Sequence, residues 1–293
     1  MSSVDIRQIG ITKLDTDAIV NAANEGLWEG SGVCGAIFHD AGSFEMTKAC
    51  EKIGGCKTGH AVITPGFNLP AKYVIHAVGP KWTGGDNNEP KLLYSAYKQS
   101  LLLAKEYNLK SIGFPLISAG IYGYPADKAW RKAIQACIDF IQNNKDYDID
   151  IVFAVIDFMN YIEGKKILGI VSREKDGIDY KKMRRFAEHY KALWQDESTK
   201  DCDIVDSFGA DCFGLGFEMD GGKAFIDSYG YEALDKPDGL KKVIESIDDP
   251  MLLGSGLFSK WRGITHWSYE SLLSDENRPW FIDALTRLSE VIK

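Results

Sequence analysis

The chain has 293 residues, 45% hydrophobic and 26% charged, an ordinary globular make-up in a length that exceeds what one hydrophobic core usually organises, so two domains are expected. Its net charge is −8, with 17 Lys+Arg against 18 Asp+Glu over residues 1–170 and 17 against 24 over 171–293, which leaves no basic face for a nucleic-acid backbone. The longest apolar runs are strand-length and carry charges, which excludes a spanning helix. Residues 1–170 then alternate short β-rich runs with helical patterns. Strands are predicted at 6–11, 18–20, 61–64, 73–78, 111–115 and 150–156, and helices near 32–53, 90–108, 125–143 and 159–169. Such alternation predicts an α/β fold with a mostly parallel sheet covered on both faces, and ligand sites beyond the carboxyl ends of its strands. The polar stretch 172–182 reads as a linker, and 180–196 as an amphipathic helix. Strand-like segments at 203–207, 211–218 and 223–228, with an Asp-Gly-Gly turn at 220–222, suggest a hairpin. Helices follow near 238–247 and 277–292, with the aromatic-rich stretch 258–269 between, whose Trp-Arg-Gly-Ile-Thr-His-Trp (261–267) reads more readily as closing a small core than as a binding surface. The expected organisation is an α/β domain over 1–171, a linker over 172–182 and a smaller α+β domain over 183–293.

Six cysteines form no Cys-X-X-Cys pair and are expected to be free thiols, mostly buried. Five dispersed histidines form no zinc-ligand spacing, so no metal is expected. The opening Met-Ser-Ser-Val-Asp-Ile has no basic-then-apolar leader, and a cytoplasmic location is the expectation.

Two loops carry the chemistry. Asp-Ala-Ile-Val-Asn-Ala-Ala-Asn (17–24) ends a strand pattern in two asparagines three apart, then runs through Gly26, Gly30, Gly32 and Gly35 into a helix. Glycines there let backbone approach a ligand, so that amide N–H groups and a helix N-terminus meet phosphate oxygens. Ser-Ala-Gly-Ile-Tyr-Gly-Tyr-Pro (118–125) again follows a strand and precedes a helix, so the two loops could clasp a pyrophosphate from both sides. Neither has the Gly-X-Gly-X-X-Gly dinucleotide fingerprint or the Walker Gly-Lys-Ser/Thr, which disfavours classical NAD binding and NTP hydrolysis.

These two motifs, with Thr-Gly-His-Ala-Val-Ile-Thr-Pro-Gly-Phe-Asn-Leu-Pro-Ala-Lys-Tyr-Val-Ile-His-Ala-Val-Gly-Pro (58–80) between them, resemble the macro domain family over about 165 residues, most closely its ADP-ribosyl-hydrolase and O-acetyl-ADP-ribose deacetylase branch. The resemblance implies a three-layer α/β/α domain with a mixed, mostly parallel sheet that binds ADP-ribose, free or as mono-ADP-ribosylated protein, without a cofactor. Residue by residue, it puts Asn24 on the distal ribose and the backbone of Gly30, Ser31, Gly32 and Val33 along the diphosphate. Ser118, Ala119, Gly120, Ile121 and Tyr122 fall on the other side, Tyr122 also against the distal ribose, with Ala22 and Ala23 on the floor. For Ala22, Ala23 and Ile121 plain core packing is an equal reading. Three departures stand out: the family's strand-one aspartate is Gly10, leaving adenine to the backbone near Ile11 and to Asp157; its acid–base aspartate is Cys34; and its following histidine is Phe38, beside His39. The candidate catalytic residues are therefore Asn24, positioning water with the substrate's phosphate as base, and Cys34 itself. The expected function is hydrolysis of ADP-ribose from modified proteins or deacetylation of O-acetyl-ADP-ribose. The alternative is a non-catalytic ADP-ribose reader that delivers the C-terminal domain, a reading that Cys34 favours. No Glu-Glu pair follows a Gly-Gly-Gly run, which disfavours a poly(ADP-ribose) glycohydrolase.

Overall fold

The computed structural model describes residues 2–176, 179–217, 244, 247–267, 273–275 and 277–292, and the chain divides into two compact units, Met1–Gly164 and Lys165–Lys293. In the first, six strands, β1 (Ser3–Gln8), β2 (Ala18–Ala22), β3 (Ala61–Pro65), β4 (Tyr73–Ala77), β5 (Ser111–Phe114) and β6 (Asp150–Val155), form one sheet in the order β1-β6-β5-β2-β4-β3. All pairings are parallel except β3 with β4. The sheet is thus mixed and mostly parallel, with α1 (Val33–Ala41), α2 (Ser43–Ile53), α3 (Glu89–Glu106) and α4 (Ala126–Asn143) between its strands.

Period-two alternation explains why both faces are covered. On β6, Val152 and Ala154 join a core with Ile37, Phe38 and Met46 of α1 and α2, while Phe153 between them meets Trp130 of α4 at 5.2 Å and Phe114 of β5 at 5.7 Å. Burying each such large apolar side chain contributes roughly 1.5–3 kcal/mol, so the two-sided core fixes the sheet's register. Three sequence expectations need correction here. The first strand covers Ser3–Gln8 rather than 6–11, because Ile11–Lys13 closes a 3-10 turn. The helix expected over 32–53 breaks at Gly42, whose φ of 100° no continuous helix allows. The helix expected over 159–169 runs longer, as α5 (Phe158–Asp176), so the division between units falls inside it.

In the second unit the described residues are helical: α6 (Tyr180–Gln195), α7 (Asp201–Gly214), α8 (Pro250–Trp267) and α9 (Asn277–Val291). The expected strand at 203–207 and most of that at 211–218 are overturned by α7, where Ile204, Phe208 and Cys212 are buried at the i, i+4, i+8 spacing of one helix face. The strand expected at 223–228, the turn at 220–222 and most of the helix at 238–247 lie outside the described residues. Helix α6 starts at Asp179, whose side chain accepts the Lys182 N–H, and buries Met183, Phe186, Ala187, Tyr190 and Trp194. Trp194 stacks on Phe281 of α9 at 4.7 Å, and from α8 Phe258 meets Phe213 of α7 edge-on at 4.6 Å while Trp261 lies 6.4 Å from Phe208, so these aromatics of α8 pack into a core.

Candidate functional site

The carboxyl ends of β2 and β5 are the centre of the site. The two strands pair directly and in parallel, Ala18 with Ile112 and Ile19 with Gly113, so the loops leaving them emerge from neighbouring strands at the same edge of the sheet. The first, 23–32, is shaped by its own side chains. Ala23 N–H extends the ladder to the Ala77 carbonyl at 2.9 Å, and Leu27 is driven into the core although its φ is 59°. Asn24 clasps the turn: its Nδ2 donates to the Trp28 carbonyl at 2.8 Å and its Oδ1 accepts the Trp28 N–H at 3.2 Å. The amide expected on a ribose is in this structure the brace of its own loop. The Trp28 indole is left on the rim, 65% exposed.

The loop then enters α1 through Gly32, with φ 62° and ψ −133°, a backbone conformation that L side chains rarely adopt. At Gly35 a Cβ would lie 2.7 Å from the Gly30 carbonyl oxygen, so only glycine lets the loop close against the first helical turn. No side chain caps α1 at Gly32, and among the described residues no acceptor pairs with the main-chain N–H of Val33, Cys34 or Gly35. Those donors, at the positive end of the helix dipole, suit an anion.

The second loop is anchored from beneath. Tyr97 of α3, wholly buried, takes the Ile117 N–H on its hydroxyl at 2.8 Å and donates to the Pro115 carbonyl. Ser118 has φ 67°, and its buried hydroxyl has no partner among the described residues. Past it the chain turns, Gly123 N–H to the Gly120 carbonyl at 2.8 Å, and leaves the N–H groups of Gly120, Ile121 and Tyr122 without a described acceptor. Ile121 is 80% exposed, across the site from Trp28. A third loop supports this one. The Glu89 carboxylate accepts Thr83 N–H, Thr83 Oγ–H and Gly85 N–H on one oxygen and Asn87 N–H at 2.6 Å on the other, and these bonds, led by the Thr83 hydroxyl, hold its carboxyl down at about 2. The loop so fixed presents Trp82, whose N–H donates to the Tyr122 carbonyl at 2.8 Å and whose ring packs on Tyr124 at 4.6 Å.

The remaining sequence candidates fall as follows. Ala23 belongs to the core and Ala22 is half-buried on the floor. Gly30 is half-buried, Ser31 exposed and Val33 packed on the core edge. The Ile11 side chain is core, leaving only its backbone for a ligand. Asp157 is exposed and already caps α5, accepting the Asn160 N–H at 2.8 Å. Cys34 is 5% exposed, its sulfur 3.5 Å from Asn21 Nδ2 and 3.9 Å from the Trp28 carbonyl, and it lies close enough to the cleft for its charge, after that of Glu25, to act on the Tyr122 hydroxyl. Behind it runs a buried relay that sequence reading missed. Asn21 Nδ2 meets His76 Nδ1 at 3.2 Å, and His76 Nε2 meets Thr64 Oγ1 at 2.9 Å. Burial pushes the His76 imidazole down to about 4, so it is neutral and joins Asn21 to Thr64 as acceptor and donor. Asn21 is the first asparagine of the loop motif and Thr64 and His76 lie in the 58–80 motif, but nothing in their spacing joins the three. Also unforeseen was Glu25, whose Oε1 accepts both Thr58 N–H at 2.9 Å and Thr58 Oγ–H at 2.8 Å. Among the described residues no group of three or more His, Cys, Asp or Glu side chains could hold a metal, and no helix is long and apolar enough to cross a membrane.

A sequence model described as Macro domain matches residues 20–133. A macro domain-containing protein of Caldanaerobacter subterraneus is 52% identical over 146 residues, covering 48% of this chain and 83% of that protein. The O-acetyl-ADP-ribose deacetylase of Escherichia fergusonii is 50% identical over 144 residues, covering 48% of this chain and 81% of its own length. Among solved structures, the Oceanobacillus iheyensis macrodomain with ADP superposes with a TM-score of 0.54 at 39% identity, covering 58% of this chain and 91% of that one.

Proposed function

The chain belongs to the macro domain family, and from that premise we propose that its two-loop cleft binds ADP-ribose and hydrolyses a bond on the distal ribose, releasing ADP-ribose from mono-ADP-ribosylated protein or acetate from O-acetyl-ADP-ribose. The observation that carries the reading is the pair of facing donor arrays. The N–H groups of Val33–Gly35 and of Gly120–Tyr122, on loops from adjacent strands, have no described acceptor and offer a diphosphate two sets of preorganised hydrogen bonds. An adenine takes the side of Ile11 and Asp157, and the distal ribose the side of Asn24 and Tyr122. The deacetylase name of the Escherichia relative and the ADP in the Oceanobacillus structure support the nucleotide and the hydrolysis. For the ribose to reach it, the Asn24 amide exchanges at least one of its two bonds to Trp28 for the ligand.

One observation favours a reader instead: the residue that stands where a base would act is a cysteine, and it is nearly buried. Incubating the full chain, without added metal, with O-acetyl-ADP-ribose and with a mono-ADP-ribosylated protein separates the two. Free ADP-ribose accumulating at a rate proportional to enzyme supports hydrolysis, and binding without turnover of either substrate establishes the reader.

A further inference from the structure

With Cys34 nearly buried and both polar atoms of the Asn24 amide bonded to Trp28, a base for the hydrolysis proposed above has two sources, the substrate's own phosphate and a carboxylate of the loop. Glu25 follows Asn24 directly and is exposed. Its main-chain carbonyl accepts Cys56 N–H at 2.8 Å, and its Oε1 takes both donors of Thr58, so backbone and side chain are pinned to the turn before β3. Its second oxygen, Oε2, is in none of these bonds. The Tyr122 hydroxyl is raised by burial, then by the charge of Glu25 and then by that of Cys34, and Lys81, whose Nζ lies 5.6 Å from the Tyr122 ring centre, helps hold the Glu25 carboxyl below its ordinary value, an effect led by Thr58.

We infer that Glu25 is the general base of the cleft: Oε1 is fixed by Thr58 while Oε2 activates water beside the distal ribose, replacing the carboxylate that position 34 lacks. The inference rests on the hydrolytic reading. With O-acetyl-ADP-ribose, the water oxygen attacks the acetyl carbonyl carbon as one of its protons passes to Oε2. The tetrahedral centre collapses with rupture of the bond between that carbon and the ribose oxygen, and Glu25 returns the proton to the departing oxygen, giving acetic acid and ADP-ribose. Nothing is oxidised or reduced, and Glu25 ends ionised.

Glu25→Gln keeps an oxygen for both Thr58 donors and removes only the base. Steady-state turnover of O-acetyl-ADP-ribose by the full chain, beside calorimetry with ADP-ribose, is expected to show kcat reduced by about 10²–10⁴-fold with KM and ADP-ribose affinity within about threefold of wild type. Glu29→Gln, the other carboxylate of the loop, should leave kcat in place. Undiminished kcat in Glu25→Gln overturns the inference, as does a parallel loss of affinity and kcat, which would make Glu25 a staple only. A wild type that binds ADP-ribose but turns nothing over also overturns it and leaves the cleft standing, whereas a wild type that does not bind ADP-ribose overturns the reading beneath both.

Discussion

At the scale of single residues, His76 makes the most quantitative claim. The imidazole has no exposed surface and no charged partner in its relay, so it stays neutral to about pH 4 in the folded protein, against an ordinary value of 6.5 in the unfolded chain. Between those values the unfolded state binds the additional proton, so stability is complete above 6.5, falls as pH drops through the window and levels off near 4. The 2.5-unit gap corresponds to a loss on the order of 3 kcal/mol. Urea unfolding between pH 7.5 and 4.5 should therefore show a midpoint that falls on acidification in the wild type and falls less in His76→Gln, and equal slopes would contradict the assignment. Cys34 gives a second test at this scale. Its sulfur meets the Asn21 amide and the Trp28 carbonyl, and the residue is nearly buried. Cys34→Ala should cost about 1 kcal/mol of stability, the loss of a small buried group, and leave turnover of O-acetyl-ADP-ribose nearly unchanged. A loss of turnover without a loss of stability would return the thiol to the chemistry.

At the scale of elements, the site is a set of loops held by partners distant in sequence. Glu89 of α3 ties the 82–88 loop, that loop holds Tyr122 through Trp82, and Tyr97 of the same helix holds Ile117. Glu89→Ala strands four donors together and should lower both the melting temperature and ADP-ribose affinity, whereas an unchanged affinity would mean that the second loop keeps its shape unaided. The same contrast explains what was legible in the sequence. The glycine-rich loops could be read because their signal is local: strand, asparagines, glycines and helix start lie within 20 residues. The Glu89 clamp, the Asn21–His76–Thr64 relay and the Glu25–Thr58 bond join residues whose pairing no period or spacing announces, the last two across 55, 12 and 33 positions. The family resemblance puts Asn24 on the distal ribose, and the turn that occupies both of its polar atoms with Trp28 leaves no trace in spacing. In α7 the clustered Ile204, Phe208 and Phe213 resembled strand composition, while the i, i+4, i+8 spacing that buries Ile204, Phe208 and Cys212 was the deciding signal.

At the scale of the molecule, each unit owns its core, and all the loop residues of the cleft lie in Met1–Gly164. We propose that a fragment ending at Gly164 folds and keeps the full chain's ADP-ribose affinity, while one ending near 172 carries Ile167, Leu168 and Val171, buried in the full chain, into solvent and is less soluble. Dialysis solubility and affinity of the two fragments test this, and an insoluble 1–164 fragment would show that its core is not self-sufficient.

The central claim, a diphosphate held between two backbone donor arrays, meets its most direct test at Gly120, where an added Cβ touches nothing within 4 Å and where the backbone is not in the left-handed region. Calorimetric titration of ADP-ribose and AMP into the wild type and Gly120→Val should give micromolar binding of ADP-ribose to the wild type and at least about tenfold weaker binding of AMP, which lacks the second phosphate and the distal ribose. Gly120→Val should melt with the wild type and bind neither. Equal affinity for AMP and ADP-ribose, or undiminished ADP-ribose binding by a folded Gly120→Val protein, would place the ligand away from these loops and contradict the account.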